Sequence, residues 1–207
     1  IVAIGSPILG AVADSGGRRK PWIALFGLML VVGLCLLWFA TPKLQGPMFF
    51  LVLAGYALAF AGAEFAAVFN NAIMPTLVRK DQLGRLSGIA WGLGYAGGLV
   101  SLALVAGFIV TDPSSGKTML GMDPILSLDQ ASREGDRLVG PLCAAWFILF
   151  VIPFFLFVPD NRQALHGRSE SPIRDALKSL WATVRNLPKD DRNILWMLVA
   201  RMLYADG

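Results

Sequence analysis

Residues Gly10 to Pro21 read G-A-V-A-D-S-G-G-R-R-K-P, and they stand between two apolar runs, Ile1 to Ala13 and Pro21 to Ala40. Gly10 removes a side chain near the end of the first run, so a neighbouring helix can approach closely. Asp14 puts an acid where the chain leaves the apolar stretch, and Gly17 permits a tight turn. Arg18, Arg19 and Lys20 then form a cationic cluster at the mouth of the next run. Basic clusters of this kind stay on the cytoplasmic side of a membrane.

Outward from this loop, the chain supplies four full runs long enough to cross the hydrocarbon, which takes about 20 mostly apolar residues in a helix. They are Pro21 to Ala40, Pro47 to about Val78, Leu86 to Val110 and Leu138 to Pro159; a partial run precedes them at Ile1 to Ala13 and another begins at Ile194. The 207 residues are 56% hydrophobic and 15% charged, against roughly 25% charged in an average soluble domain. So few charges cannot cover a water-facing domain without large apolar patches. The expected class is an all-α membrane protein whose first partner is the lipid bilayer. The same composition excludes disordered and collagen-like chains, and Cys35 and Cys143, the two cysteines, both lie inside apolar runs, which excludes a disulfide scaffold.

Orientation follows from the cations. Thirteen of the 18 Lys and Arg residues fall in the loop before Pro21, the loop at Arg79 to Arg85 and the stretch from Asp160 to Asn193, whereas the alternate loops hold four. That places the first set inside. The formal charge of +4 is thereby explained by topology, and no nucleic-acid partner is expected. The long outer loop, 111–137, is acidic; its Ser114 to Lys117 stretch lacks the second glycine of a phosphate loop and reads as a solvated turn. In the inner stretch, Ser171 and Pro172 can open a helix with Ile173, Leu177, Leu180, Trp181, Val184 and Leu187 on one face. Such a helix suits either the membrane surface or the inner ends of the bundle. The lone His166 offers no ligand cluster, so neither a metal nor another cofactor is expected.

Glu64 lies near the middle of the second full run, where an ionisable side chain usually faces a bundle interior or a water-filled cavity. Helical spacing gives it Ala57, Ala61, Val68 and Asn71 as one small-residue face, while Leu58, Phe65 and Phe69 make a bulky face suited to lipid. Glu64 and Asn71 are therefore expected to point into a substrate or ion path; a protonated Glu64 bonded to a neighbouring helix is the alternative. In the third run Gly88 with Gly92, and Gly94 with Gly98, have the spacing of close helix packing. Trp91 and Tyr95 place two amphipathic rings among them as candidate cavity-lining residues.

Glycine, three residues, aspartate, two residues, glycine, arginine, arginine resembles the loop signature between the second and third helices of the major facilitator superfamily, here Gly10, Asp14, Gly17, Arg18 and Arg19. Gly62 to Pro75 (GAEFAAVFNNAIMP), Gly84 to Gly98, Ala144 to Pro159 and Arg201 to Gly207 resemble the branch of autophagy-related vacuolar effluxers and their bacterial relatives. Asn70 departs from that pattern, which usually has tyrosine there. The resemblance implies a helical bundle, with residues 1–159 as the N-terminal half from the end of helix 2 through helix 6, residues 160–193 as a cytoplasmic linker and residues 194–207 as the start of helix 7. It also implies that Asp14 and Arg18 act in a gating latch between two halves. Glu64, Asn70, Asn71, Trp91 and Tyr95 would line the path of a small polar solute, an amino acid by analogy with the fungal effluxers. Both a proton-coupled carrier and a facilitator fit. The membrane would be the plasma (inner) membrane in a bacterium and the vacuolar membrane in a fungus. A membrane scaffold or receptor that keeps the fold without transport is the second reading. An enzyme is not expected, because the spans carry one acid and no nucleophile–base pair.

Overall fold

The computed structural model describes residues 19–112 and 115–159, with isolated helical positions at Lys178, Trp181, Ala182, Arg185, Asn193, Trp196, Met197 and Ala200. Gly10, Asp14, Gly17 and Arg18 lie outside the described residues, as does most of the amphipathic stretch from Ser171. Within that stretch Lys178, Trp181, Ala182 and Arg185 are helical and exposed. Residues 19–159 belong to one compact unit.

It is built from four helices. They are α1 (Lys20–Leu36), prolonged by a short 3-10 turn (Leu37–Phe39), α2 (Pro47–Leu77), α3 (Leu83–Phe108), preceded by a 3-10 turn (Lys80–Gln82), and α4 (Glu134–Phe157). Each is long and apolar enough to cross a membrane, and a helix meets its backbone hydrogen-bonding needs internally, as hydrocarbon demands. The expected spans therefore match the helices to within a few residues. Proline sits at the start of both α1 and α2, where its missing N–H has no partner to lose. Before Pro47, Gly46 takes φ 66° and ψ −146°, a backbone region open in practice to glycine alone.

α1 packs chiefly on α2 and secondarily on α4. At one end of the α1–α2 contact the aromatic rings interlock. Phe26 lies 5.0 Å from Phe65 and 5.6 Å from Phe69, ring centre to ring centre, and Trp22 stacks 5.9 Å from Phe69. Phe69 is 2% exposed. This corrects the expectation that Phe65 and Phe69 face lipid: they are the packing face of α2, because aromatic rings contribute the large dispersion contact that joins helices where lipid tails remove the hydrophobic drive.

Further along, the backbones touch. A Cβ on Gly33 would stand 2.5 Å from the Ala59 nitrogen and the Gly55 oxygen, and one on Gly62 would stand 2.6 Å from the Leu30 nitrogen. Gly140 of α4 meets the Leu34 carbonyl at 2.5 Å by the same measure. Small residues spaced four apart, Gly55 with Ala59 and Gly62 with Ala66, form this stripe. The glycines expected to pack, Gly88, Gly92, Gly94 and Gly98 of α3, meet nothing within 4 Å among the described residues. Spacing marks both sets alike; only the neighbouring backbone tells them apart.

Candidate functional site

α2 presents two opposed faces. Gly55, Ala59, Gly62, Phe65, Ala66, Phe69 and Ile73 are buried, and at 3.6 residues per turn Glu64 and Asn71 fall about half a turn away from the centre of that stripe. Both are exposed. The side of α2 that carries the acid is thus the one turned away from α1. Asn70 is exposed on the flank of the buried stripe. On α3, Trp91 and Tyr95 are one helical turn apart, exposed, with ring centres 6.1 Å apart. No hydrogen bond, ion pair or ring contact among the described residues joins this aromatic pair to Glu64, Asn70 or Asn71.

A second constellation occupies the helix ends. The carboxyl end of a helix carries unpaired carbonyls and a partial negative charge, which cations relieve. None of α1, α2 or α4 has a basic residue in its own last turn. Instead neighbouring segments bring cations to carbonyls at or near these ends: in the last turn of α4, just past α1, and at Ala72, five residues before the last residue of α2. Arg19 donates from Nη1 to the Ala72 carbonyl of α2. Lys20 donates from Nζ to the Phe155 carbonyl of α4 at 2.9 Å and lies 5.8 Å from the centre of the Phe154 ring. At the opposite end, Arg137 of α4 donates from Nε to the Trp38 carbonyl at 2.6 Å and lies over the Trp38 indole at 4.8 Å.

The Arg19 contact falls in a turn already loosened by its sequence. Pro75 lies inside α2 and has no N–H to give the Asn71 carbonyl four residues back. Thr76 turns its hydroxyl to the Ile73 carbonyl at 2.7 Å. The guanidinium thus brings an outside donor to the end of α2 nearest Asn71. Of the five loop-signature residues, Arg19 is the one among the described residues, and it bonds α2. Lys20, with Arg19, was marked by the sequence as a possible partner for helix C-termini and takes that place, whereas Trp38, Arg137 and the Gly33 crossing escaped sequence reasoning. The Arg137 contact has no local signal, whereas the small-residue spacing in α2 was visible in principle.

The loop between α3 and α4 finishes the remaining helix end with backbone donors. The Met119 amide bonds the Ala106 carbonyl at 3.1 Å and the Ile125 amide bonds the Phe108 carbonyl at 3.0 Å. Gln130 ties the loop to Thr111, Nε2 to Oγ1, at 3.0 Å. Before α4, Asp129 accepts from the Ala131 amide at 2.9 Å and the Ser132 amide at 3.2 Å. Its carboxyl is held below the ordinary carboxylate range, first by the Ser132 hydroxyl and next by the Ala131 amide. The Glu134 carboxylate in turn accepts from the Asp129 amide at 2.9 Å. Ser115, Gly116 and Lys117 are exposed, as a solvated turn requires.

Comparison with known proteins agrees with this arrangement of apolar helices. The profile of the family described as MFS/sugar transport protein matches residues 2–205. The uncharacterized MFS-type transporter YxiO of Bacillus subtilis (strain 168) is 26% identical over 208 residues, a match that covers 100% of this chain and 44% of that protein. The chain therefore spans less than half the length of the curated relative it matches. No solved structure matches it at a significant level. Four helices able to cross a membrane and a family match over nearly the whole length lead to one conclusion: the chain is an all-α integral membrane protein of the major facilitator superfamily, within the MFS/sugar transport protein family.

Proposed function

We propose that the chain is part of a secondary transporter that moves a small polar solute by alternating access, with Glu64 in the solute or ion path. The observation that carries this reading is the placement of an ionisable side chain in the middle of a membrane-crossing helix, on the face turned away from its packing partner. An acid there needs water, a partner or a substrate, since an unpaired charge in hydrocarbon is strongly unfavourable. Family membership supports transport over catalysis.

In this scheme two helical bundles rock about a midplane site. The Glu64 carboxylate accepts hydrogen bonds from the solute or exchanges a proton, and the Asn71 and Asn70 amides offer donors and acceptors along the same helix. Trp91 and Tyr95 supply ring faces and a hydroxyl from α3. Asp14 and Arg18, with Gly10 and Gly17, form the gating latch, while Arg19 holds the end of α2 on which that latch would pull. The likeness to autophagy-related effluxers favours an amino acid as solute; the description of the matched family favours a sugar as the second reading. The membrane is the plasma membrane for a bacterial source and the vacuolar membrane for a fungal one.

The test is flux in proteoliposomes carrying the whole protein, with labelled amino acids and sugars supplied in separate assays, with and without a pH gradient. Saturable flux of one class is expected, falling at least about tenfold in Glu64→Gln while the variant keeps wild-type thermal stability. Wild-type flux in Glu64→Gln removes that residue from the path. Absence of flux for every solute, with a well-folded protein, favours a scaffold or receptor.

A further inference from the structure

Turn tips are normally built from Gly, Pro, Asn, Asp and Ser, yet the segment after α3 breaks that habit. The Gly121 amide bonds the Thr118 carbonyl at 2.8 Å, the Thr118 amide bonds the Met122 carbonyl at 2.9 Å, and Gly121 takes φ 74°. This is the pattern of a three-residue hairpin loop closed by a left-handed glycine. Its base, Thr118, is 5% exposed, whereas its tip is Met119 and Leu120, 85% and 60% exposed. Ile125, 72% exposed, stands beside them in sequence.

These side chains are not on a free-swinging loop. The Met119 and Ile125 amides are bonded to the last carbonyls of α3, and the Leu120 side chain lies 3.1 Å from where a Gly107 Cβ would be. The tip is therefore fixed to the end of a helix of 26 residues. Such a helix is about 39 Å long, against about 30 Å of hydrocarbon, so its end reaches headgroup level. Leu99, Leu102 and Leu104 on α3 are exposed as well, distributed around the helix rather than along one face. The hydrogen bonds that hold the turn also pair its backbone groups, which lowers the cost of dehydrating them.

We propose that Met119, Leu120 and Ile125 form an interfacial anchor, seated in the lipid headgroup and upper acyl region of the membrane face opposite Arg19 and Lys20. The occupant of this apolar surface is lipid, and the anchor sets the depth at which the end of α3 rides. Lys117 and Asp112, on the same loop, remain in water.

The experiment is site-directed spin labelling of the whole protein in liposomes, with every native cysteine, Cys35 and Cys143 included, replaced by alanine. Single cysteines are introduced as Met119→Cys, Ile125→Cys, Lys117→Cys as the water control and Leu102→Cys as the lipid control. The ratio of oxygen to nickel-chelate collisions is expected several-fold higher at 119 and 125 than at 117, and below that at 102. A ratio at 119 and 125 equal to that at 117 overturns the anchor in favour of a solvated loop. Low accessibility to both reagents at 119 and 125 also overturns it, since protein then covers the patch. Size-exclusion profiles matching the parent show that each labelled protein is folded.

Discussion

Arg137 grips Trp38 twice: its Nε bonds the Trp38 carbonyl at 2.6 Å while its guanidinium lies 4.8 Å from the centre of the indole ring. The first contact quenches an unpaired carbonyl where α1 ends, and the second uses the planar cation on the ring face. Together they tie the start of α4 to the end of α1. Arg137→Ala is expected to lower stability by about 2 kcal/mol. Arg137→Lys should recover only part of that loss, because an ammonium lacks the fork that bonds and stacks at once. Thermal unfolding in detergent, read for the two variants side by side, checks both statements.

At the other face, Arg19 reaches α2 and Lys20 reaches α4. Because the two cations serve different helices, their losses should add. Lys20→Met is expected to cost about 1–2 kcal/mol and to speed hydrogen exchange in the last turn of α4 without changing the end of α2. Arg19→Met should do the reverse. Exchange that rises equally at both ends in each single variant would contradict this division of labour.

The Gly33 crossing tolerates no side chain. Gly33→Ala places a methyl 2.5 Å from backbone atoms of Gly55 and Ala59, so α1 and α2 must separate. A loss of about 1–3 kcal/mol is expected, visible as a lower midpoint of thermal unfolding.

Phe69 fills the space between Trp22 and Phe26. Phe69→Ala leaves that space empty and is expected to cost about 3–5 kcal/mol. Phe69→Leu should restore much of it, as measured by the same unfolding midpoint.

Asp129 introduces a pH dependence outside the membrane. Its carboxyl titrates below the ordinary value of about 3.9, because the Ser132 hydroxyl and the Ala131 amide favour the charged form. A folded-state value lower than the unfolded one means that this stabilisation is fully present above about pH 4 and is lost as pH falls through the folded value. The difference in unfolding midpoint between wild type and Asp129→Ala should therefore be steady near pH 6 and shrink on acidification. A difference that grows toward low pH would reverse the assigned sign.

Much of the fold is legible in the chain because a helix in hydrocarbon needs only a long apolar run, and such a run is local. Pro21 and Pro47 mark helix starts for the same local reason. Faces are harder. Small residues around Glu64 and bulky rings at Phe65 and Phe69 suggested opposite environments, and the structure buries the rings against α1. In a bilayer both lipid and protein are apolar, so residue type alone carries little information about which of the two a side chain meets. The loop signature and Glu64 were visible as residues out of place in apolar sequence. What pairs with them depends on other helices.

By itself the sequence determined the number and extent of the crossing helices, the acid at position 64 and the basic loop from Arg18 to Lys20, since each is a matter of composition along a line. Only the tertiary structure decided which glycines are contact points and which helix ends the cations serve. Gly33 and Gly94 are alike in sequence, but a second backbone lies against the first and none among the described residues against the other. Arg19 and Ala72, or Arg137 and Trp38, are separated by 53 and 99 positions. Their contact arises because antiparallel and adjacent helices bring the carbonyl end of one beside the side chains of another, a relation that no local pattern encodes.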